Sequence, residues 1–159
     1  MRKVITGQVG PALMTADHRW LDIQAVATVE VTSEDPAFPI ESVFTDHGGP
    51  GWRASQPGKQ QIRIMLDNPV SLRLIRLRFE EHETARTQEF VLRWSAGPGE
   101  PMNDIVRQQW TFSPAGSVIE SEDYAVHLTH VSVLELMIDP NLGYSNGIAS
   151  LAVLMLQSF

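Results

Sequence analysis

Residues 60–80 read QQIRIMLDNPVSLRLIRLRFE, and their apolar side chains recur at every second position over most of the segment. This period of two is typical of a β-strand that buries one face. The apolar positions stop at the Asp-Asn-Pro sequence of residues 67–69, which predicts a turn, and they resume at Leu72. The apolar phase then slips by one residue between Leu74 and Ile75, and a β-bulge there would keep one face buried.

The same alternation continues on both sides of this segment. Further strands are predicted within residues 23–31, 90–94, 110–112, 124–128, 134–138 and 151–156. Clusters of Gly, Pro, Asp and Ser separate them, and the best candidate for a helix is a single turn around residues 40–44. Many short strands at this spacing predict an all-β sandwich, jelly roll or barrel. We expect one domain, residues 23–159, with an N-terminal extension, residues 1–22, packed on it.

Composition narrows the classes of function. The chain has 159 residues, no cysteine and a formal net charge of −7 at pH 7. Disulfides and thiolate metal sites are therefore excluded, and general nucleic-acid binding, which depends on phosphate neutralisation, is not expected. No apolar run is long enough to predict a membrane span. Gly and Pro interrupt the stretch after residues 1–3, so no signal peptide is recognised and a cytoplasmic location is expected.

Several short segments occur in an order that is typical of one domain family. They read TSEDP at residues 32–36, IESVFTD at 40–46, GWRAS at 51–55, QIRIML at 61–66, IRLRF at 75–79, RTQEF at 86–90, WSAG at 94–97 and ASLAVL at 149–154. Between about residues 23 and 156 the chain thus resembles the discoidin (factor V/VIII type C) family of galactose-binding-like domains. The resemblance implies an eight-stranded antiparallel jelly-roll β-sandwich with ligand-binding loops at one end. Ligands across the family include galactose-type sugars, other glycans, phospholipid head groups and proteins.

The resemblance also raises the question of calcium. Many sugar-binding members of the family hold a structural calcium with an Asp from one loop and a Glu from the last strand. Asp46 matches the loop Asp, but Val153 stands where the Glu is expected, and His47 replaces the usual glycine. Calcium prefers six to eight oxygen ligands. We therefore expect no calcium and no other cofactor, with Asp46 as a ligand only if such a site survives.

The histidines do not predict a metal centre. They are His18, His47, His82, His127 and His130. The last two are three residues apart, which on a regular strand puts them on opposite faces, so we expect both at the surface.

Two clusters of carboxylates could in principle serve an enzyme. They are Glu80, Glu81 and Glu83, and then Glu120, Glu122 and Asp123. A glycosidase needs two carboxylates that face each other across the sugar, one of them with a raised pKa. Charged loops are normally solvated, so we expect both clusters to be solvated and the chain not to be an enzyme.

A row of arginines has two interpretations. With a bulge near Leu74, one outward strand face would carry Arg73, Arg76 and Arg78, and neighbouring strands would carry Arg63 and Arg93. The row could recognise an anionic partner through bidentate hydrogen bonds. The favoured alternative is cross-strand pairing with residues such as Glu89 and Glu135.

Candidate ligand contacts follow from the family resemblance. They are His47 and Arg53 in the Gly-rich loop, His82 and Arg86 in the next, and Tyr144 and Asn146 before the last strand. Arg86 has a second interpretation, which is to hold a loop through backbone carbonyls. Trp52, Trp94 and Trp110 are expected to be framework residues because they recur in strand phase with core neighbours.

We expect a non-catalytic module that binds carbohydrate through these loops, by hydrogen bonds and one stacking aromatic. The alternative is a protein-interaction or scaffold domain of the same fold without sugar affinity. An enzyme is the third and least favoured interpretation. Self-association into a homo-oligomer is compatible with either of the first two, because it would provide avidity.

Overall fold

A computed structural model describes residues 20–159, and antiparallel strands make up most of that range. The eight strands are β1 (Ala27–Val31), β2 (Trp52–Arg53), β3 (Gln60–Glu80), β4 (Arg86–Ser95), β5 (Asn103–Phe112), β6 (Ile119–Asp139), β7 (Ser150–Leu151) and β8 (Val153–Ser158). A one-turn helix, α1 (Ile23–Val26), precedes β1, and a 3-10 helix covers Ile40–Phe44. The predicted eight-stranded antiparallel jelly-roll sandwich and the helical turn around 40–44 are confirmed.

Strands β3 and β6 form the longest pairing. They run antiparallel from the pair Gln60–Ile138 to the pair Glu80–Ile119, with register shifts near the middle of β3. The first half of β3 also pairs with β1, and its second half pairs with β8. The second half of β6 pairs with β4, which pairs with β5. The paired strands β3 and β6 therefore contribute to two layers, with the strand orders β1-β3-β6-β4-β5 and β8-β3-β6.

The two layers face each other across an apolar core. Phe79, near the end of β3, stacks on Phe90 of β4 with ring centroids 5.0 Å apart. Phe90 also lies opposite Ile138, which lies opposite Gln60. Both ends of β3 are therefore at the same end of the sandwich. This end collects the β3–β4 loop, residues 81–85, and the segment after β6, residues 140–149.

The prediction of a turn at residues 67–69 is wrong, because β3 continues through these residues as an exposed bend. Met65 pairs with Val133 and Val70 with Val131, so residues 67–69 have no partner in β6. Pro69 lacks an N–H group and is tolerated where no ladder hydrogen bond is needed. The bulge is present, but the register shift lies between Leu72 and Leu74, slightly earlier than the sequence predicts.

Three other boundaries differ from the prediction. Residues 23–26 form α1 instead of the start of a strand, because the carbonyl of Asp22 accepts hydrogen bonds from the amides of Ala25 and Val26. The strands predicted at 124–128 and 134–138 are both parts of β6, whose bend includes His130 with a φ of 57°. The last predicted strand is interrupted at Ala152, whose amide donates to the carbonyl of Arg78.

The start of the described chain runs beside β8. The amide of Leu21 donates to the carbonyl of Leu156 at 2.8 Å, and Trp20 forms an isolated bridge with Gln157. The rest of the predicted N-terminal extension, residues 1–19, and His18 with it, lies outside the described residues. Across residues 20–159, no helix is long and apolar enough to cross a membrane.

Gly51 controls how the chain enters β2. Its φ is +78°, and a Cβ atom at this position would lie 2.7 Å from the backbone oxygen of Leu151. A positive φ disfavours residues with a side chain, and the short distance leaves no room for one. The glycine therefore lets β2 lie against β7 and fixes the position of the residues that follow.

We expect Gly51→Ala to lower the free energy of unfolding by about 2–3 kcal/mol, because the strained φ and the backbone clash both act on the folded state. The measurement is the urea midpoint and slope. Gly116→Ala is the matched control, since a Cβ atom added at residue 116 would have no heavy atom within 4 Å. Equal stabilities of the two variants would contradict this account of Gly51.

Candidate ligand-binding site

A groove lies at the end of the sandwich where β3 ends and β4 begins. It consists of two adjoining cavities of about 390 and 210 Å³. Arg53, Glu80, His82 and Ser150 line both cavities, which makes them parts of one feature. We call it the end groove. Its walls come from β2, from the loop of residues 81–85 and from the last part of the loop of residues 140–149.

Arg53 projects from β2, whose backbone is held on both sides. Its amide donates to the carbonyl of Phe38, its carbonyl accepts from the amide of Asp35, and it lies opposite Ser150 in β7. Its guanidinium carbon lies 4.4 Å from the centroid of the Phe38 ring. Among residues 20–159 the guanidinium has no ion-pair or hydrogen-bond partner. Its five N–H donors are therefore available to a ligand.

Arg86 has a different role from Arg53, because its side chain is buried. Nε donates to Oε1 of Glu81 at 2.8 Å, and Nη1 donates to the carbonyl of Pro140 at 2.7 Å. The Arg86 guanidinium also lies over the ring of Phe112. It borders the end groove, but its bonds tie the 81–85 loop to the 140–149 loop. The geometry therefore favours the structural interpretation of Arg86.

His82 is exposed and belongs to a series of polar contacts. Its Nε2 lies 3.2 Å from Oε1 of Glu80, and the second oxygen of Glu80 lies 3.4 Å from Nε of Arg78. Arg78 also donates from Nη2 to Oδ1 of Asp46 at 3.0 Å. These contacts hold Glu80 between two nitrogen groups at the edge of the groove.

The same contacts bear on the calcium question. Asp46 is bound by Arg78, and Val153 is fully buried and offers no oxygen from its side chain. In the described part of the chain, no three His, Asp or Glu side chains come close enough together to hold a metal ion. The residues present therefore do not fit the calcium site that the family resemblance suggests.

The other predicted contacts lie at varying distances from the groove. Asn146 and Tyr144 belong to the loop whose Gly147 and Ile148 line it. Oδ1 of Asn146 accepts a hydrogen bond from Asn141 within that loop, and the Tyr144 side chain is 69% exposed. The structure therefore brings Arg53, His82 and Arg86 together, with Tyr144 and Asn146 on a shared loop.

His47 is placed elsewhere. It borders a separate depression together with Trp20, Phe44 and Met155. Two residues later, Gly49 and Pro50 line the end groove. Among the described residues, the Gly-rich loop therefore contributes its second half to the groove and directs His47 to another side.

Sequence reasoning missed two residues of the groove. Phe38 supports Arg53, but it follows the Asp-Pro breaker of residues 35–36 and belongs to no periodic segment that would mark it. Glu83 lines the groove, yet its charge alone did not distinguish it from solvated neighbours.

Trp52, Trp94 and Trp110 are framework residues, as predicted. Trp52 is fully buried, and its Nε1 donates to the carbonyl of Ser33 at 3.2 Å. Trp94 and Trp110 pack against the core.

The outward arginines are largely paired with carboxylates. Arg63 and Arg93 each donate to one oxygen of Glu135, at 2.9 and 2.5 Å. Arg76 pairs with Asp123 through two hydrogen bonds, which lowers the pKa of Asp123. The predicted cross-strand pairing with Glu135 is confirmed, whereas Glu89 pairs with Arg107 instead. These guanidinium groups are already used within the sheet, which weighs against a recognition face.

Solved structures of carbohydrate-binding modules share this architecture. The third family 32 module of a Clostridium perfringens family 31 glycoside hydrolase matches with a TM-score of 0.64 and 17% identity, over 91% of this chain and 97% of that one. The chain has the galactose-binding-like fold. The family 32 module of C. perfringens NanJ, solved with galactose, matches this fold with a TM-score of 0.59 and 14% identity, over 84% and 94% of the two chains.

A further C. perfringens module of the galactose-binding-like fold was solved with GalNAc-β-1,3-galactose. It matches with a TM-score of 0.60 and 17% identity, over 87% of this chain and 99% of that one. No protein-family model and no curated protein sequence matches the chain. At these identities the comparisons establish the fold.

A buried polar chain lies beneath the groove, inside the sandwich. Nη1 of Arg86 donates to Gln88, and Nε2 of Gln88 donates to Oε1 of Glu120 at 3.3 Å. Glu120 is only 1% exposed, and its other oxygen has no partner in the described chain. Burial, opposed in part by the Gln88 hydrogen bond, raises the pKa of Glu120 to about 7. The expectation that this carboxylate is solvated is wrong, because residue 120 faces the inside of the sandwich.

We expect Glu120 to make stability depend on pH. The unfolded carboxyl ionises near its ordinary pKa of 4.5, whereas the folded one stays protonated until about pH 7. As the pH rises between these values, ionisation favours the unfolded state, so Glu120 removes on the order of 3 kcal/mol of stability above pH 7. Glu120→Gln should therefore be more stable than the wild type at pH 8 and nearly equal to it at pH 4.

Chemical denaturation at several pH values measures this difference. Glu30→Gln, at an exposed position of β1, is the control for the loss of one carboxylate. A constant difference between Glu120→Gln and the wild type from pH 4 to pH 8 would contradict the raised pKa.

Proposed function

We propose that the chain is a non-catalytic module that binds carbohydrate in the end groove. The observation that carries this proposal is Arg53, an exposed guanidinium without a partner among the described residues, supported by Phe38 in the wall of a groove. The fold is that of carbohydrate-binding modules, some of them solved with galactose-containing sugars. Fold alone does not assign a ligand, so the site chemistry has to support it.

That chemistry suits a sugar. Vicinal hydroxyl groups present neighbouring oxygens at a spacing that a planar guanidinium can reach with two N–H donors. The exposed carboxylate of Glu83 and the ring of His82 can take part in hydrogen bonds with the same hydroxyls. Tyr144 and Ile148 are exposed large apolar side chains on the adjacent loop, available to the C–H face of a ring.

The groove carboxylates do not have the properties of a glycosidase pair. Glu80 and Glu81 are both ion-paired, and the hydrogen bonds from Arg86 and from backbone amides outweigh burial and lower the pKa of Glu81. General-acid catalysis needs a carboxyl with a raised pKa beside the bond to be cleaved. Glu120 has the raised pKa, but it is enclosed in the sandwich and does not line the groove. These features support binding without turnover.

We expect Arg53→Ala to weaken sugar binding at least tenfold, because it removes hydrogen bonds from a charged donor, each of which contributes roughly 1.5–3 kcal/mol. Arg53→Lys should recover only part of the affinity, since it restores the charge without the planar pair of donors. A glycan array identifies a ligand of the wild type, and isothermal titration calorimetry then measures the variants. Arg107→Ala, an exposed arginine of β5 on the outer sheet face, is the control and should bind like the wild type.

Two results would contradict the proposal. One is a glycan array on which the folded wild type binds no glycan. If the groove then binds a protein instead, the chain is an interaction domain. The other is glycan binding that Arg53→Ala leaves unchanged, which would place the site elsewhere.

A further inference from the structure

The end groove offers free donors from one residue and a free acceptor from another. The donors are those of Arg53, whose guanidinium has no carboxylate partner within residues 20–159. The free acceptor is Glu83, which lines the groove, is exposed and has no ion pair in the same part of the chain. The remaining charged groups of the groove are largely occupied by one another.

Those occupied groups can be traced individually. One oxygen of Glu81 accepts from Arg86 and the other from the amide of Glu83, at 2.8 and 3.2 Å. Both oxygens of Glu80 lie near cationic or ring nitrogens, those of Arg78 and His82. Nη2 of Arg86 also has no hydrogen-bond partner among the described residues, but it is buried. Arg53 and Glu83 are therefore the exposed charged groups of the groove that an incoming ligand finds uncommitted.

This inventory favours one chemical class of ligand. A hydroxyl group both donates and accepts hydrogen bonds, so a polyol can use Arg53 and Glu83 together. A ligand carboxylate can only accept, so it gains from Arg53 but is repelled by Glu83. The groove also presents three glutamates against two arginines, which adds to the repulsion of an anion. An ammonium group, in contrast, is repelled by Arg53 but gains from Glu83 and from the excess of glutamates around the groove.

We propose that the end groove binds neutral sugars and amino sugars more tightly than uronic and sialic acids. Glu83 sets this preference. This inference rests on the proposed function, because it concerns the ligand of the same groove. The property that the groove distinguishes is the charge of the substituents on the sugar ring, and Glu83 is the specificity-determining residue.

The test compares sugars that share one configuration and differ in one substituent. The probes are galactose, galactosamine and galacturonic acid, with glucose, glucosamine and glucuronic acid as a second set, titrated into the full chain at low ionic strength. The wild type should bind the neutral and amino forms of a set more tightly than the uronic acid. Raising the salt concentration should reduce the difference, because exposed charges are screened.

Glu83→Gln keeps the shape of the side chain and one acceptor oxygen, and it removes the charge by replacing the other oxygen with an NH2 donor. It should narrow the ratio of neutral-sugar to uronic-acid affinity by roughly threefold, as expected for one exposed charge. Glu100→Gln is the matched control. Glu100 is an exposed carboxylate in the loop after β4, and the ten residues of β4, about 30 Å, separate it from the groove.

The outcomes separate the two proposals. Binding of the uronic acid at least as tightly as the neutral sugar, or an unchanged ratio in Glu83→Gln, overturns the charge preference and leaves sugar binding intact. Absence of binding by the folded wild type to every probe and on the glycan array overturns the proposed function, and the preference with it. A ratio that narrows in Glu83→Gln and not in Glu100→Gln supports both.

Discussion

The antiparallel pairing of β3 with β6 is the constraint on which the rest of the structure depends. Two strands of 21 residues each bend together and remain paired on both sides of the bend. Because the two strands bend as one pair, a single ladder supplies strands to both layers of the sandwich. It also returns the end of β3 and the end of β6 to the same end of the molecule. The loops of the end groove leave the sheet at these points.

Arg86 fixes the relative position of the two loops that form the end groove. Loops are usually the most mobile parts of a sandwich, but here one buried guanidinium binds Glu81 in one loop and the carbonyl of Pro140 in the other. Burying a cation is costly unless it is paired and hydrogen-bonded, and these acceptors offset the cost. Arg53 can then remain uncommitted, because the walls around it are held by other residues. Arg86 therefore holds the loops in position, and Arg53 is left to contact a ligand.

Much of the fold could be predicted because alternation depends on local sequence and burial. The period of two in residues 60–80 marks β3, and the segment IESVFTD marks the 3-10 helix. Alternation gives no information about whether two strands join through a bend, so residues 67–69 resemble a turn even though β3 passes through them. His130 likewise lies inside a continuous β6 with a positive φ, and its spacing from His127 therefore does not define opposite faces.

The site was harder to predict than the fold, since it depends on contacts between distant segments. Family resemblance indicated Arg53, His82 and Arg86, which the structure brings to one groove. It could not show that Arg86 is occupied and Arg53 is not, because that depends on Glu81, Pro140 and Phe38. Glu120 was expected in solvent because charged residues usually are. Its burial follows from its phase in β6, opposite Phe79.

The most direct test of the central claim, that the end groove is the ligand site, is backbone-amide NMR during titration of the isotope-labelled chain. Galactose, glucose and N-acetylglucosamine would be added in turn to the wild type. If the end groove binds the sugar, the amides whose resonances move are those of Arg53, of residues 80–86 and of residues 147–150. Movements confined to the outer faces of β4 and β5, or to the depression around His47, would contradict the claim.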